Sequence, residues 1–375
     1  MSRKPRFLEF FAGAGLVRLG LEPEWECVFA NDSSTKKAEV YRANFGSGEL
    51  AVSDVANLEA TDLPDAEMAW ASFPCQDLSL AGWRRGMSAP RSGAFWPFWA
   101  LMRDMHRAGR RPPLIVIENV VGLLYGGDFS GLCEALAAID MRFGAMVLDA
   151  KWFVPQSRPR VFLVAIDENL NVDGLAHDSA ESDIWFPSAV KAAAASLPER
   201  IVKRWLWWDL PQPRAPRRGR KSTLKTLDEI IDPSPIETSW RTKAEVDRLL
   251  AMMTPTNLKK ITSRQRAGGR HIGFLYRRTR QGIQRAEVRF DGLAGCIRTP
   301  EGGSSRQTVV IVEAGQVRMR LLTPREAARL MGAADTFKLP SRYNDAYRAM
   351  GDGVAVPAVR HLSSSLLESL IALGR

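Results

Sequence analysis

From residue 6 to residue 166 the chain alternates short apolar runs with amphipathic stretches. That alternation predicts an α/β fold with a mostly parallel, doubly wound sheet. Strands are expected near 7–12, 27–31, 67–73, 114–118, 145–148 and 161–166, and helices near 35–44, 95–108 and 129–139. The pattern then breaks. A Pro-, Ser- and Asp-rich stretch runs from 167 to about 198, with one apolar helical piece near 189–195. Beyond it the sequence turns irregular and Gly/Arg-rich, with a helix expected at 243–253. The α/β pattern returns at 308–312. A helix follows from Pro324 with Thr323 as its cap, and another spans 357–373.

Charge changes this picture in one place. The 375-residue chain has a net charge of +10, yet residues 200–306 hold 24 Lys/Arg against 10 Asp/Glu, leaving 28 basic and 32 acidic residues elsewhere. The whole excess sits in the irregular block. There Trp205, Trp207, Trp208, Trp240, Phe274 and Tyr276 stand among runs such as Arg217-Arg218-Gly219-Arg220-Lys221 and Arg277-Arg278-Thr279-Arg280. Basic residues mixed with aromatics suit a phosphate backbone with exposed bases, and a nucleic-acid partner is expected over a merely solvated basic face. No apolar stretch reaches membrane-spanning length, and the run at 7–12 is too short for a signal sequence. A soluble, cytoplasmic protein is expected. The four cysteines (Cys27, Cys75, Cys133 and Cys296) lie far apart, which suits neither a disulfide framework nor a metal site.

Candidate chemistry clusters at predicted strand ends. Phe73-Pro74-Cys75-Gln76 follows the run Met68-Ala69-Trp70-Ala71, so the Cys75 thiol falls at the carboxyl edge of the sheet, where open α/β folds place their chemistry. A buried small hydrophobe is the alternative for a lone cysteine. The first strand ends in Phe11-Ala12-Gly13-Ala14-Gly15 and the second in Asn31-Asp32. Such a turn lets a nucleotide approach the backbone, and the acid suits ribose hydroxyls. The missing third glycine argues against a pyrophosphate. Asp54-Val55 could hold an adenine amino group, and an adenosyl cofactor without phosphates fits all three. A carboxyl at Glu118, ending an apolar strand, is expected to be desolvated and pushed toward its protonated form, with a structural carboxylate as the alternative. In Gln156-Ser157-Arg158-Pro159-Arg160, arginines two apart on an extended chain point the same way and can grip one carbonyl or phosphate.

Taken in order, these motifs resemble the cytosine-5 DNA methyltransferases. That family carries Phe-Ala-Gly-x-Gly, an acidic second-strand end, Phe-Pro-Cys-Gln, Glu-Asn-Val and Gln-x-Arg-x-Arg in this sequence. After a variable region come a Leu-Thr-Pro-Arg-Glu-Ala-Ala-Arg-Leu segment, matched by 322–330, and a final Gly-Asn-x-Val-x-x-Pro, here Gly351-Asp352-Gly353-Val354-Ala355-Val356-Pro357. The likeness covers 6–166 and 318–375.

The resemblance implies a Rossmann-like S-adenosylmethionine-dependent methyltransferase fold with a small, irregular basic DNA-recognition domain. The domains would be 1–170 for catalysis and cofactor, 171–317 for target recognition, and 318–375 returning to the catalytic domain. It implies Cys75 as nucleophile toward carbon 6 of a flipped-out cytosine, Glu118 as donor to ring nitrogen 3, and Arg160 with Arg158 beside it on the carbonyl oxygen at position 2. Phe11, Ala12, Gly13, Gly15, Asp32, Ser33, Asp54, Val55, Pro74, Asp352 and Gly353 would bind S-adenosyl-L-methionine. Gln76, Ser79, Arg84, Arg85 and Arg91, on a loop spanning 77–93, would meet double-stranded DNA together with Arg264, Arg266, Arg270, Arg277 and Arg278. A monomer working beside the nucleoid is expected, with a companion restriction endonuclease acting separately. Asp352 stands where the family usually has Asn, Leu78 for Phe, Ser72 for Gly and Glu9 for Asp.

Rival readings lack their marks. The tRNA-acting branch has a shorter variable region. Exocyclic amino methylation needs a Pro-Pro-aromatic tetrapeptide, whereas Pro112-Pro113 precedes Leu114. A non-catalytic DNA-binding protein would have lost Cys75, Glu118 or the arginines. A nicotinamide oxidoreductase needs more glycines.

Overall fold

Parallel strands arise in the first half because each apolar run is followed by a segment that carries the chain back to the same edge. The computed structural model describes residues 3–74, 93–125, 127–213, 225–236, 238–280, 282–299 and 306–374. The chain divides into two units, one of Met1–Asp149, Pro159–Pro213 and Ala358–Arg375, the other of Ala150–Arg158 and Arg214–Pro357.

In the first unit β1 (Arg6–Phe10) leads through α1 (Leu16–Leu21) to β2 (Glu26–Asn31), then α2 (Thr35–Phe45) to β3 (Leu50–Ala51). β4 (Met68–Ala71), α3 (Phe95–Arg107), β5 (Leu114–Val120), α4 (Gly127–Ala137), β6 (Met141–Asp149) and β7 (Pro159–Asp167) follow. The seven strands lie in the order β3-β2-β1-β4-β5-β7-β6, with β7 antiparallel to both neighbours. The mostly parallel sheet is therefore as the periodicity predicts. β4 and most of β5 are fully buried, which is why they read as unbroken apolar runs rather than alternating ones. The strand order reverses between β1 and β4, and such a switch point opens a crevice at the carboxyl ends of the strands.

Small elements complete this unit: β8 (Ala176–His177), α5 (Ser188–Ala195), α6 (Glu199–Val202) and β9 (Trp207–Trp208). The helical run Val356–Leu362, Ser363–Leu367 and Glu368–Leu373 then carries the chain back. The single helix expected over 357–373 thus contains one widened π turn. Trp25 Nε1 donates to Ser363 Oγ at 2.9 Å, and Arg360 donates to the carbonyls of Leu19 and Glu22 at 2.9 and 3.1 Å.

The second unit holds α7 (Leu227–Ile230), α8 (Lys243–Ala251), α9 (Pro255–Ala267), β10 (Arg270–Arg280), β11 (Ile283–Arg289), β12 (Thr308–Glu313), β13 (Gln316–Leu321), α10 (Pro324–Leu330) and α11 (Tyr343–Asp352). Its antiparallel sheet has the order β11-β10-β12-β13. Val246, Leu249 and Met253 join Ile261 of α9 against Leu275, Val288, Val310, Val312 and Met319 on one face of that sheet. The basic block is therefore more regular than its sequence suggests. α9 buries only Ile261, so its apolar periodicity is almost absent, and the outer half of β10 reads Arg-Arg-Thr-Arg. Tertiary pairing rather than local pattern makes both elements. α10 starts as predicted, with a capping box between Thr323 and Glu326. Glu326 also receives both terminal nitrogens of Arg320, at 2.8 and 2.6 Å, in a pair sealed from solvent. No described helix is long and apolar enough to cross a membrane.

Candidate active site

The turn after β1 sits at the switch point and is held open by backbone conformation. Phe11, Gly13 and Gly15 have φ of 59°, 58° and 80°. Left-handed backbone is rare for a phenylalanine and is retained where surroundings enforce it, often at ligand sites. Gly15 is also required by packing, since a Cβ there would fall 2.4 Å from the Phe45 ring. A Cβ at Gly13 would meet nothing nearer than 4.0 Å, so the face above the turn is open. Asp32, buried at the end of β2, accepts from Gly13 N at 2.9 Å through one oxygen and from Ser34 N at 2.8 Å through the other. Each carboxylate oxygen keeps a further lone pair for a hydroxyl. Ser33 is exposed, Ala12 is buried, and Ser34 caps α2.

Asp54 follows β3, is exposed, and caps the short turn Val55–Asn57 by accepting from Ala56 N at 2.9 Å. Val55 is buried beside it. The Phe11 ring meets Phe73 edge-on with centroids 6.5 Å apart. Turn, acids and apolar surfaces thus gather at the carboxyl ends of β1, β2 and β3. Two carboxylates able to accept from hydroxyl or amino groups and an open backbone turn suit an adenosyl group.

Beneath this turn lies Glu9, fully buried on β1, with neither oxygen accepting from a described side chain. Burial pushes its pKa up from 4.5 to about 8, opposed by the charge of Arg18 and reinforced by Glu22 and Asp32. Burial likewise raises the Cys27 thiol to about 12, so that cysteine is an inert packing group.

The second cluster forms where β5 and β7 run side by side. Val120 pairs with Arg160 and Glu118 with Phe162, so Glu118 and Arg160 are diagonal neighbours on one face. Glu118 Oε1 lies 3.2 Å from Arg160 Nε, with side chains only 8% and 14% exposed, so each charge offsets the cost of burying the other. The next residue, Asn119, donates from Nδ2 to the Phe73 carbonyl at 3.2 Å. That bond ties the end of β5 to Phe73 and the exposed Pro74, the residues that lead into Cys75. Cys75, Gln76, Ser79, Arg84, Arg85 and Arg91 lie outside the described residues.

Arg158 departs from expectation. β7 begins only at Pro159, so Arg158 is not on the extended chain that would align it with Arg160. It is 2% exposed, and it donates to Ile297 O at 2.7 Å, Cys296 Sγ at 3.2 Å, Gly351 O at 2.8 Å and Gly353 O at 2.6 Å. The guanidinium fork is occupied by the protein itself, and the shared grip expected of the two arginines does not form. Gln156, also fully buried, accepts from Ile297 N at 3.1 Å and donates to Leu330 O at 2.8 Å. Asp352 and Gly353 end α11 in this second unit. Sequence reasoning passed over Gln156 and Asn119 because nothing local marks an amide that bonds a distant carbonyl.

The candidate DNA arginines do not line one cavity. Arg264, stacked 5.9 Å from the Phe290 ring centroid, and Arg270, 3.6 Å from Asp228, line a cavity of about 420 Å³ with Lys151 and Lys225. Arg277 lines another, of about 260 Å³. Arg278 lies over the Tyr276 ring at 4.8 Å, and Arg266 is exposed on α9.

Residues 5–368 match the model of the C-5 cytosine-specific DNA methylases. The chain is 25% identical over 377 residues to Type II methyltransferase M.NlaX of Neisseria lactamica, covering 98% of each protein. It is also 25% identical over 370 residues to Type II methyltransferase M.HhaI of Haemophilus parahaemolyticus, covering 97% of this chain and 95% of that one. The fold matches the crystal structure of the S. pombe Dnmt2 methyltransferase with a TM-score of 0.61 at 18% identity, over 98% and 99% of the two chains. The Rossmann-like α/β sheet and a family match across nearly the whole length agree: the chain belongs to the C-5 cytosine-specific DNA methylase family and is a DNA cytosine-5 methyltransferase.

Proposed function

We propose that this enzyme methylates carbon 5 of a cytosine extruded from duplex DNA, through a covalent bond between Cys75 and carbon 6. The observation that carries the reading is the Glu118–Arg160 pair at 3.2 Å. The two side chains converge on one place, and a cytosine presents nitrogen 3 and the oxygen on carbon 2 as adjacent edge atoms. One ring therefore meets both. Glu118 holds nitrogen 3 through a shared proton, and Arg160 donates to the oxygen. Both draw electron density from the ring and open carbon 6 to the thiolate.

When the Cys75 sulfur bonds to carbon 6, the electron pair displaced from the ring makes carbon 5 nucleophilic. Carbon 5 takes the methyl group, then loses its proton, and the thiolate leaves carbon 6 as the ring is restored. An ordinary thiol ionises near pH 8.5, so Cys75 needs nearby positive charge or backbone N–H groups. A stacked base is out of reach, and extruding it costs a few kcal/mol.

S-adenosylmethionine supplies an electrophilic methyl group on a sulfonium. Asp32 would hold its ribose hydroxyls and Asp54 its adenine amino group. Phe11 and Val55 would pack its apolar surfaces, with Gly13 leaving the turn open and Ser33 and Pro74 at the rim. The type II names of the relatives support a role in restriction-modification. On this reading residues 171–317 recognise the target, and the enzyme works as a cytoplasmic monomer on double-stranded DNA beside a separate endonuclease.

Incubating the protein with tritiated S-adenosylmethionine and duplex DNA, then mapping the modified base, tests the reaction. Label on adenine or on an exocyclic nitrogen would overturn the mechanism. DNA carrying 5-fluorocytosine should trap a covalent adduct on the wild type and not on Cys75→Ser, because fluorine does not leave as a proton does. The same variant should keep its cofactor affinity in calorimetry, and Asp32→Ala should lose it.

A further inference from the structure

The 260 Å³ cavity in the second unit is lined by four arginines, Arg241, Arg248, Arg277 and Arg306, and by one acid, Glu245. Leu249 and Met252 from the α8 region, Leu275 from β10, Leu321 from β13 and the hydroxyl-bearing Thr308 complete the lining. Arg277 follows Leu275 by two residues on a strand, so it extends the face that α8 covers. Glu245 is already engaged. It closes the α8 capping box, accepts from Thr242 N at 2.8 Å, and faces Arg241 at 3.7 Å. The cavity is left strongly cationic, with donors in excess of acceptors.

Arg241 is tethered at its backbone, and Arg277 and Arg306 through their guanidinium groups. Arg241 N donates to Met319 O at 2.8 Å, and Arg277 reaches Gln284 Oε1 at 3.4 Å. Arg306 donates to Asn344 Oδ1 at 2.5 Å and stands 5.5 Å from the centroid of the Tyr343 ring. The Nε–H groups of Arg241 and Arg306 are buried with no hydrogen-bond partner. Like charges gathered around one hollow repel, and an anion relieves that repulsion. Guanidinium groups carry donors only, so the fitting ligand carries acceptors only.

We propose that this cavity seats a backbone phosphate of the DNA and sets the position of the duplex on the second unit. The proposal rests on the reading that the enzyme acts on duplex DNA. A phosphate is favoured over a base edge because four guanidinium groups face a single carboxylate, Glu245, and the Thr308 hydroxyl can itself donate to a phosphate oxygen. Arginines and apolar side chains in one lining together suit a phosphodiester with its sugar.

Binding of the full-length protein to duplexes bearing a neutral methylphosphonate at one position at a time, over a range of salt, tests this. Wild type should lose affinity at one discrete phosphate. Arg248→Gln, an exposed change, and Arg306→Gln should become insensitive to neutralising that phosphate. Each should lower the slope of log affinity against log salt by about 0.9, equally on cognate and unrelated DNA. Thermal unfolding of Arg248→Gln should match wild type. An unchanged slope in both variants would overturn the site, and so would a loss confined to one base-pair identity, which is the mark of base readout. A wild type that binds duplex DNA but leaves cytosine unmethylated would overturn the functional reading while leaving the phosphate test intact.

Discussion

Asn119 donates its side-chain amide to the carbonyl of Phe73 at 3.2 Å and so fastens the end of β5 to the stretch that delivers Cys75. Its own Oδ1 accepts from Val120 N at 2.9 Å, which fixes the amide's orientation. The strand that carries Glu118 thereby also restrains Phe73.

Asn119→Ala should therefore slow methyl transfer by roughly ten- to a hundred-fold, as loss of positioning does, while cofactor affinity stays near wild type. Single-turnover kinetics beside calorimetry checks this. A fall in cofactor binding as large as the fall in rate would show general disorder instead.

Arg158 and Arg160 should separate cleanly. Arg158→Lys removes a fork that serves three carbonyls and a thiol, so the unfolding midpoint should drop by several degrees. Arg160→Lys should leave the midpoint nearly unchanged and reduce kcat. Equal behaviour of the two variants in both assays would contradict the assignment.

Breaking the sealed Arg320–Glu326 pair should be severe. Glu326→Gln leaves a buried guanidinium without its counter-charge, at a cost of roughly 3–5 kcal/mol in denaturant unfolding. Because Glu326 also accepts from Asp232 N and Thr323 N at 2.8 Å, the conservative amide should not restore stability.

Glu9 predicts a pH dependence of stability. Its pKa of about 8 exceeds the ordinary 4.5 because burial disfavours the charged form, so the folded chain holds a proton that the unfolded chain releases between those values. The sign follows: stability is full below pH 4.5 and declines as pH rises toward 8. Glu9→Gln should flatten that decline and raise stability at pH 9 by on the order of a few kcal/mol. Unfolding curves of both proteins between pH 5 and pH 9 decide it, and parallel pH profiles would refute it.

Much of the first unit is legible in sequence because its strands are buried on both faces and its turns need particular residues. Met68–Ala71 and the start of Leu114–Val120 could be nothing but core strands, and the Phe11–Gly15 turn announces itself by its glycines. The second unit hides its order. Arg270–Arg280 becomes a strand only through pairing with β11 and β12, contacts that no local pattern encodes. The site divides the same way. Glu118 and Arg160 follow from strand ends, whereas Arg158 reads as a twin of Arg160 until its four acceptors, more than a hundred residues away, are in view.

Trp25 and Ser363 meet across nearly the full length of the chain. A nascent polypeptide that has made all seven strands of the first sheet still lacks the closing helices, whose Leu366, Leu367 and Leu370 are fully buried. The first unit therefore cannot finish folding until the ribosome has also translated residues 214–357.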